Sequence, residues 1–212
     1  MRIIIYDNKF KNTVIFIHGY RKTHDDWNIT SNNKEIGIES HIRKIKNTIL
    51  ISMEEVDYQR SIQEISKEIY KSINHLDKTK IVCVCHSYGA IYSTCMSILY
   101  PSLFTSIIML DPTLKTDEYL EYLKGRNLDD NDRYKIENFN KLPNYLNIPK
   151  NIIVKIHINL TSDNIKQDHK YMIELDKIVK QNMKSRLMIH FDVSHMIHYK
   201  IPHIIIDSIK NI

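Results

Sequence analysis

Seven short runs rich in β-branched residues punctuate the chain, and segments with helical spacing lie between most of them. The runs are Ile3–Tyr6, Val14–His18, Thr48–Ser52, Ile81–Cys85, Ser106–Leu110, Ile152–Ile158 and Leu187–Phe191. Most are nearly continuous in apolar side chains, the pattern of strands buried on both faces. Between them, Tyr58, Ile62, Ile65, Ile69 and Ile73 step by four, three, four and four residues, which draws one apolar stripe along a charged helix. Ile91, Cys95, Ile98 and Leu99 predict a second helix, Met172, Leu175, Ile178 and Val179 a third, and Ile201, Ile204, Ile205 and Ile209 a last one. Strands of this kind separated by helices pack as a mostly parallel open sheet with helices on both faces, an α/β fold. Only the mostly polar "DNKFKN" separates the first run from the second, so the first is expected as an extra edge strand.

The 212 residues suit one open-sheet α/β domain over 1–212 and bury enough core to need neither disulfides nor a metal. One stretch breaks the rhythm. From Pro112 to Lys150 there is no strand pattern, only a short predicted helix over Leu114–Leu123, stopped by Gly125, then "RNLDDNDRYK" and an Asn/Pro-rich run. An excursion of that length reads either as a small lid or cap over about 112–150, or as a crossover helix with a long solvated loop.

Charge and cysteine usage narrow the function classes. The net charge of +5 is spread along the chain with no basic run of five or more, which argues against a nucleic-acid partner. The apolar start of "MRIIIYDNKF" is far too short for a signal-peptide core or a membrane span. Cys83, Cys85 and Cys95 form no disulfide framework, and the first two share one face of a strand as small buried hydrophobes. A soluble protein of a reducing, cytoplasmic compartment is the expectation. His190, His195, His198 and His203 crowd a short stretch but lack an acidic ligand at recognisable spacing, so no metal is expected. No glycine fingerprint for a nucleotide cofactor occurs, and no cofactor is expected.

The stretch "IVCVCHSYGA", Ile81–Ala90, carries the chemistry. Ligands of open α/β sheets bind beyond the carboxyl ends of the strands, and Ser87 stands at such an end. A serine aimed out of a strand-to-helix corner needs a sharp turn and small residues two places before and after it. Cys85 and Gly89 hold those places in a chain with only four glycines, where ordinary usage would give about fifteen. Taken alone, Ser87 also fits a helix N-cap.

"CHSYGA" resembles the nucleophile elbow of the α/β-hydrolase family, with Cys85 in place of the usual first glycine. "VIFIHGY", Val14–Tyr20, resembles that family's strand and His-Gly segment. "DVSHMIHYKIP", Asp192–Pro202, resembles its closing histidine segment. The resemblance covers essentially the whole chain from Val14 onward. It implies an α/β-hydrolase fold, Ser87 as nucleophile, His195 as general base, and an oxyanion hole made by the N–H groups of Tyr20 and Tyr88. For the triad carboxylate it implies Asp163, in "IHINLTSDN", with Asp111, in "IIMLDPT", as the rival. Trp27, Tyr92 and Asp111 are expected to line the pocket.

The chemistry needs each of these parts. A serine hydroxyl must lose its proton as it attacks; an imidazole takes that proton and returns it to the leaving group. A carboxylate fixes the imidazole tautomer, and two N–H groups bind the developing oxyanion. The implied activity is hydrolysis of a small-molecule carboxylic ester or thioester through an acyl-enzyme. The alternatives are a degenerate member that binds without turnover, motivated by Cys85, and a lyase or acyltransferase using the same triad.

Overall fold

The structure is a computed structural model that describes residues 1–31, 37–76, 80–115, 147–160 and 168–212. Seven strands are present: β1 (Arg2–Tyr6), β2 (Asn12–Ile17), β3 (Asn47–Ser52), β4 (Lys80–His86), β5 (Ser106–Leu110), β6 (Ile153–Leu160) and β7 (Arg186–Phe191). They form one sheet in the order β1-β3-β2-β4-β5-β6-β7. Every pairing is parallel except β1 with β3. The first run is thus an edge strand, as expected from the short link that follows it, and it pairs antiparallel with β3. β4, which leads to Ser87, lies centrally, between β2 and β5.

Strand side chains alternate between two cores. Ile15, Ile17, Cys83, Cys85, Ile107 and Met109 face one side; Val14, Phe16, Val82, Val84, Ile108 and Leu110 face the other. The first core is closed by α2 (Ile62–Ile73), α3 (Gly89–Leu99) and α4 (Asp168–Val179), the second by α1 (Ile38–Ile42), α5 (Ile197–Lys200) and α6 (Pro202–Lys210). Helices therefore cover both faces. α2 starts where a capping box forms. The Ser61 hydroxyl accepts the Glu64 N–H at 3.2 Å, and the Glu64 carboxylate accepts the Ser61 N–H at 3.0 Å, so two orphan donors of the first turn are satisfied. Its four isoleucines, Ile62, Ile65, Ile69 and Ile73, are all buried.

α3 departs from the one-sided stripe expected of it. Tyr92, Ser93, Thr94, Met96 and Ser97 are buried along with Ile91 and Cys95, whereas Ile98 is half-buried and Leu99 exposed. The helix is wedged between the sheet and α2, so nearly its whole circumference is covered. Small hydroxyls there bond back to their own helix, Ser93 to the Ala90 carbonyl and Ser97 to the Thr94 carbonyl. The last expected helix, marked by Ile201 to Ile209, is α6: Pro202 begins it at a position where its missing N–H costs nothing, and Ile201 separates it from the short α5. The lid expected over 112–150, including the helix at Leu114–Leu123, falls almost entirely outside the described residues. Among the described residues no helix is long and apolar enough to cross a membrane.

Candidate active site

β4 ends at His86, and the chain turns at Ser87 directly into α3. Ser87 holds the left-handed φ of 48°, a strained conformation for a residue with a side chain. The turn is tight because α3 starts against β2. A Cβ on Gly89 would lie 2.4 Å from the Ile17 carbonyl oxygen and 2.8 Å from that of His18, so only glycine fits. A Cβ on Gly19 would come within 3.0 Å of His86 Nδ1 and 3.2 Å of Ser87 Cβ; the loop after β2 runs right alongside the serine. Cys85 is accommodated by a small neighbour, its Sγ lying 3.3 Å from Ser93 Oγ and 3.5 Å from the Ile108 carbonyl. The thiol is fully buried and faces α3.

The elbow is tied to the end of β5. Ser87 N–H donates to the Leu110 carbonyl at 2.9 Å, and Thr113 N–H donates to the Ser87 carbonyl at 3.0 Å. Asp111 lies between those two residues, itself left-handed at φ 43°. Its Oδ1 accepts the Asn159 N–H at 3.3 Å, and its Oδ2 lies 2.5 Å from His195 Nδ1. A carboxylate at Nδ1 fixes the proton there and leaves Nε2 as the unprotonated, basic nitrogen.

His195 sits on the loop between β7 and α5, which passes through two more left-handed residues, Asp192 and Ser194. The loop is pinned by Asp192 N–H to the Leu160 carbonyl and by Val193 N–H to Asn159 Oδ1 at 2.9 Å. The His195 carbonyl accepts from His86 Nε2–H at 3.0 Å, and the two rings lie 4.7 Å apart. A closed circuit results, from His86 and Ser87 through Asp111 to His195 and back to His86. His195 is the open member, its side chain 56% exposed against 19% for Asp111.

Beneath it lie three buried histidines, His86, His198 and His18. His86 packs on the ring of His198, which packs on Trp27. Burial holds His86 well below the ordinary imidazole range and His198 down to about 3, so both are neutral. His18 is also lowered by burial. It donates through Nδ1 to the Gly19 carbonyl at 2.6 Å and accepts the Met53 N–H on Nε2 at 2.9 Å. The next turn is held from the same side, since Arg21 N–H donates to the Tyr58 hydroxyl at 3.0 Å.

The structure thus brings Ser87, His195 and Asp111 to one rim. Asp163, the carboxylate expected from the resemblance, lies outside the described residues, and Asp111, expected in the pocket, is the group bonded to His195. The rings of Tyr20 and Tyr88 lie 5.8 Å apart beside the elbow. Tyr92 is buried behind Tyr88, ring to ring at 5.7 Å. Trp27, expected on a pocket wall, is a core residue instead. It is 1% exposed and packs against Phe16 and His198, because the 3-10 turn that carries it folds onto the sheet. His195 and His198 both lie against His86, whereas His190 meets His157; among the described residues no three His, Cys, Asp or Glu side chains are grouped so as to hold a metal ion. Asn159 and His86 carry no motif of their own; a polar residue near the carboxyl end of a strand is the signal both share.

No protein-family model matches this chain, and no curated protein sequence does. Solved structures do. A carboxylesterase of the thaumarchaeon Nitrososphaera gargenis superposes with a TM-score of 0.71 at 12% identity, over 99% of this chain and 92% of that one. MenH from S. aureus does so at 0.66 and 12%, over 99% and 96%. The thioesterase domain from the curacin biosynthetic pathway gives 0.66 and 13%, over 99% and 94%. The chain has the fold that these proteins share.

Proposed function

We propose that this chain, which has the α/β-hydrolase fold, is a serine hydrolase that cleaves a carboxylic ester or thioester through an acyl-enzyme, with Ser87 as nucleophile, His195 as general base and Asp111 as the carboxylate that orients it. The observation that carries the reading is the 2.5 Å contact between Asp111 and His195 Nδ1, made beside a left-handed serine at the carboxyl end of the central strand. In this scheme His195 Nε2 takes the hydroxyl proton as Ser87 attacks the acyl carbon. The oxyanion is held by the N–H groups of Tyr20 and Tyr88, and His195 returns the proton to the departing alkoxide or thiolate. Water then repeats the sequence on the acyl-serine and restores the enzyme. Three free, buried thiols suit a reducing, cytoplasmic setting.

The test is covalent. Purified protein is treated with a fluorophosphonate, the adduct is mapped by mass spectrometry, and a panel of short- to medium-chain p-nitrophenyl esters and acyl thioesters is assayed. An adduct on Ser87, and turnover lost in Ser87→Ala, is expected. Folded wild-type protein that takes no adduct and hydrolyses no member of the panel sinks the reading and leaves a fold that binds without turnover.

A further inference from the structure

Residue 86 immediately precedes the proposed nucleophile, yet its side chain reaches the main chain of the proposed base. A carbonyl oxygen only accepts, so the 3.0 Å contact requires the proton on His86 Nε2. The ring is 2% exposed, and its Nδ1 edge lies along the Gly19 backbone. It is clamped between the rings of His195 and His198, each 4.7 Å away, so it has little freedom to swing. Among the described residues the His195 segment is otherwise anchored on its amino side, by Asp192 N–H to the Leu160 carbonyl and Val193 N–H to Asn159, and by its own side chain, which meets Asp111. Two left-handed residues, Asp192 and Ser194, precede it, a conformation that persists only when surrounding contacts enforce it.

We infer that His86 is a positioning residue: its Nε2–H···O bond holds the main chain of residue 195 so that the imidazole, with Nδ1 on Asp111, stays at the rim that carries Ser87. Elbow and base loop, far apart in sequence, are thereby fixed to one another directly as well as through Asp111. The inference rests on the triad reading above and adds a requirement to it. Hydrogen-bond donation, beyond bulk or aromatic character, is what residue 86 must supply.

Two substitutions separate those properties. His86→Phe keeps a ring between His195 and His198 but cannot donate; His86→Gln loses the ring but carries an amide N–H at similar reach. The expected result, by fluorophosphonate labelling rate and ester kinetics, is a loss of kcat of about a hundredfold in His86→Phe, the scale of a 1 Å misplacement. KM stays within about twofold, and His86→Gln recovers most of the rate, because uniform binding is untouched. Full activity in His86→Phe overturns the inference, as does a His86→Gln protein that is folded and equally slow. Should the substitutions unfold the chain, 15N NMR of histidine-labelled wild type decides: His86 as the Nε2–H tautomer supports the inference, and the Nδ1–H tautomer refutes it. Wild type that never labels at Ser87 fails the triad reading; labelled wild type with an unimpaired His86→Phe fails only this one.

Discussion

Two of the histidine pairs among the described residues are not alike. At the carboxyl ends of the strands, His195 lies on His86 and presents Nδ1 to a carboxylate, with more than half its side chain in solvent. On β6 and β7, His157 and His190 stack nearly parallel, 2° between their planes, with His157 Nδ1 3.0 Å from His190 Nε2. His157 is fully buried, and its other nitrogen meets the Ser208 hydroxyl at 3.0 Å. No carboxylate touches this second pair in the hydrogen bonds and ion pairs of the described residues. Burial pushes His157 down to about 3 and lowers His190. The first pair has a carboxylate to stabilise an imidazolium and solvent access for a substrate; the second is a neutral, space-filling contact. In the proposed scheme, partner and exposure, not residue type, mark His195 as the base.

That contrast is breakable at several points. The largest effect is expected at the carboxylate. Asp111→Asn should lower kcat about ten-thousandfold by favouring the wrong tautomer of His195, while Asp163→Asn leaves the rate within about threefold. Ester kinetics on both variants decides between the two acids, and the reverse ranking restores Asp163.

Stability comes next. The folded protein keeps His157 and His198 at about 3, whereas in the unfolded chain they titrate near about 6.5. Between those values the unfolded state binds more protons, so stability falls as pH drops from about 6.5 toward about 3. Thermal melts across that window should show Tm declining steadily. His157→Gln should start lower at neutral pH and decline less steeply; an unchanged slope would mean that His157 is not held neutral.

Asn159 links the two groups, since it stands on β6, the strand of His157, and holds the first pair's loop. Asn159→Ala should reduce kcat about fivefold, the worth of one ordinary hydrogen bond, with stability scarcely altered by calorimetry. The smallest effect is expected at Tyr58, whose hydroxyl accepts the Arg21 N–H and whose ring packs on Tyr20. Tyr58→Phe should slow turnover about two- to threefold at constant KM, and a changed KM would argue for direct contact with substrate.

Much of the architecture was legible in the residues. Seven apolar runs became seven strands within a residue or two, and the isoleucine stripe from Ile62 to Ile73 became the buried face of α2. Gly19 and Gly89 stand where their motifs required close approach. The left-handed turns were not legible. Among the described residues, five of the six non-glycine residues with positive φ, namely Arg21, Ser87, Asp111, Asp192 and Ser194, lie at or just beyond strand ends on this rim, and no described glycine shares that conformation. A reader looking for glycine at such turns would find none of them, because hydrogen bonds such as Ser87 N–H to the Leu110 carbonyl impose the geometry from outside.

Local order in the chain was enough to specify strands, helices, the two-faced burial of the sheet and the serine at its rim, because periodicity and steric fit act over a few residues. Which acid meets His195, which histidines stay neutral and whether Trp27 is core or wall were decided only when strand ends distant in sequence came together. A carboxylate 84 residues away in the chain becomes a partner through the stacking order of parallel strands, and a single sequence does not carry that order in any local pattern.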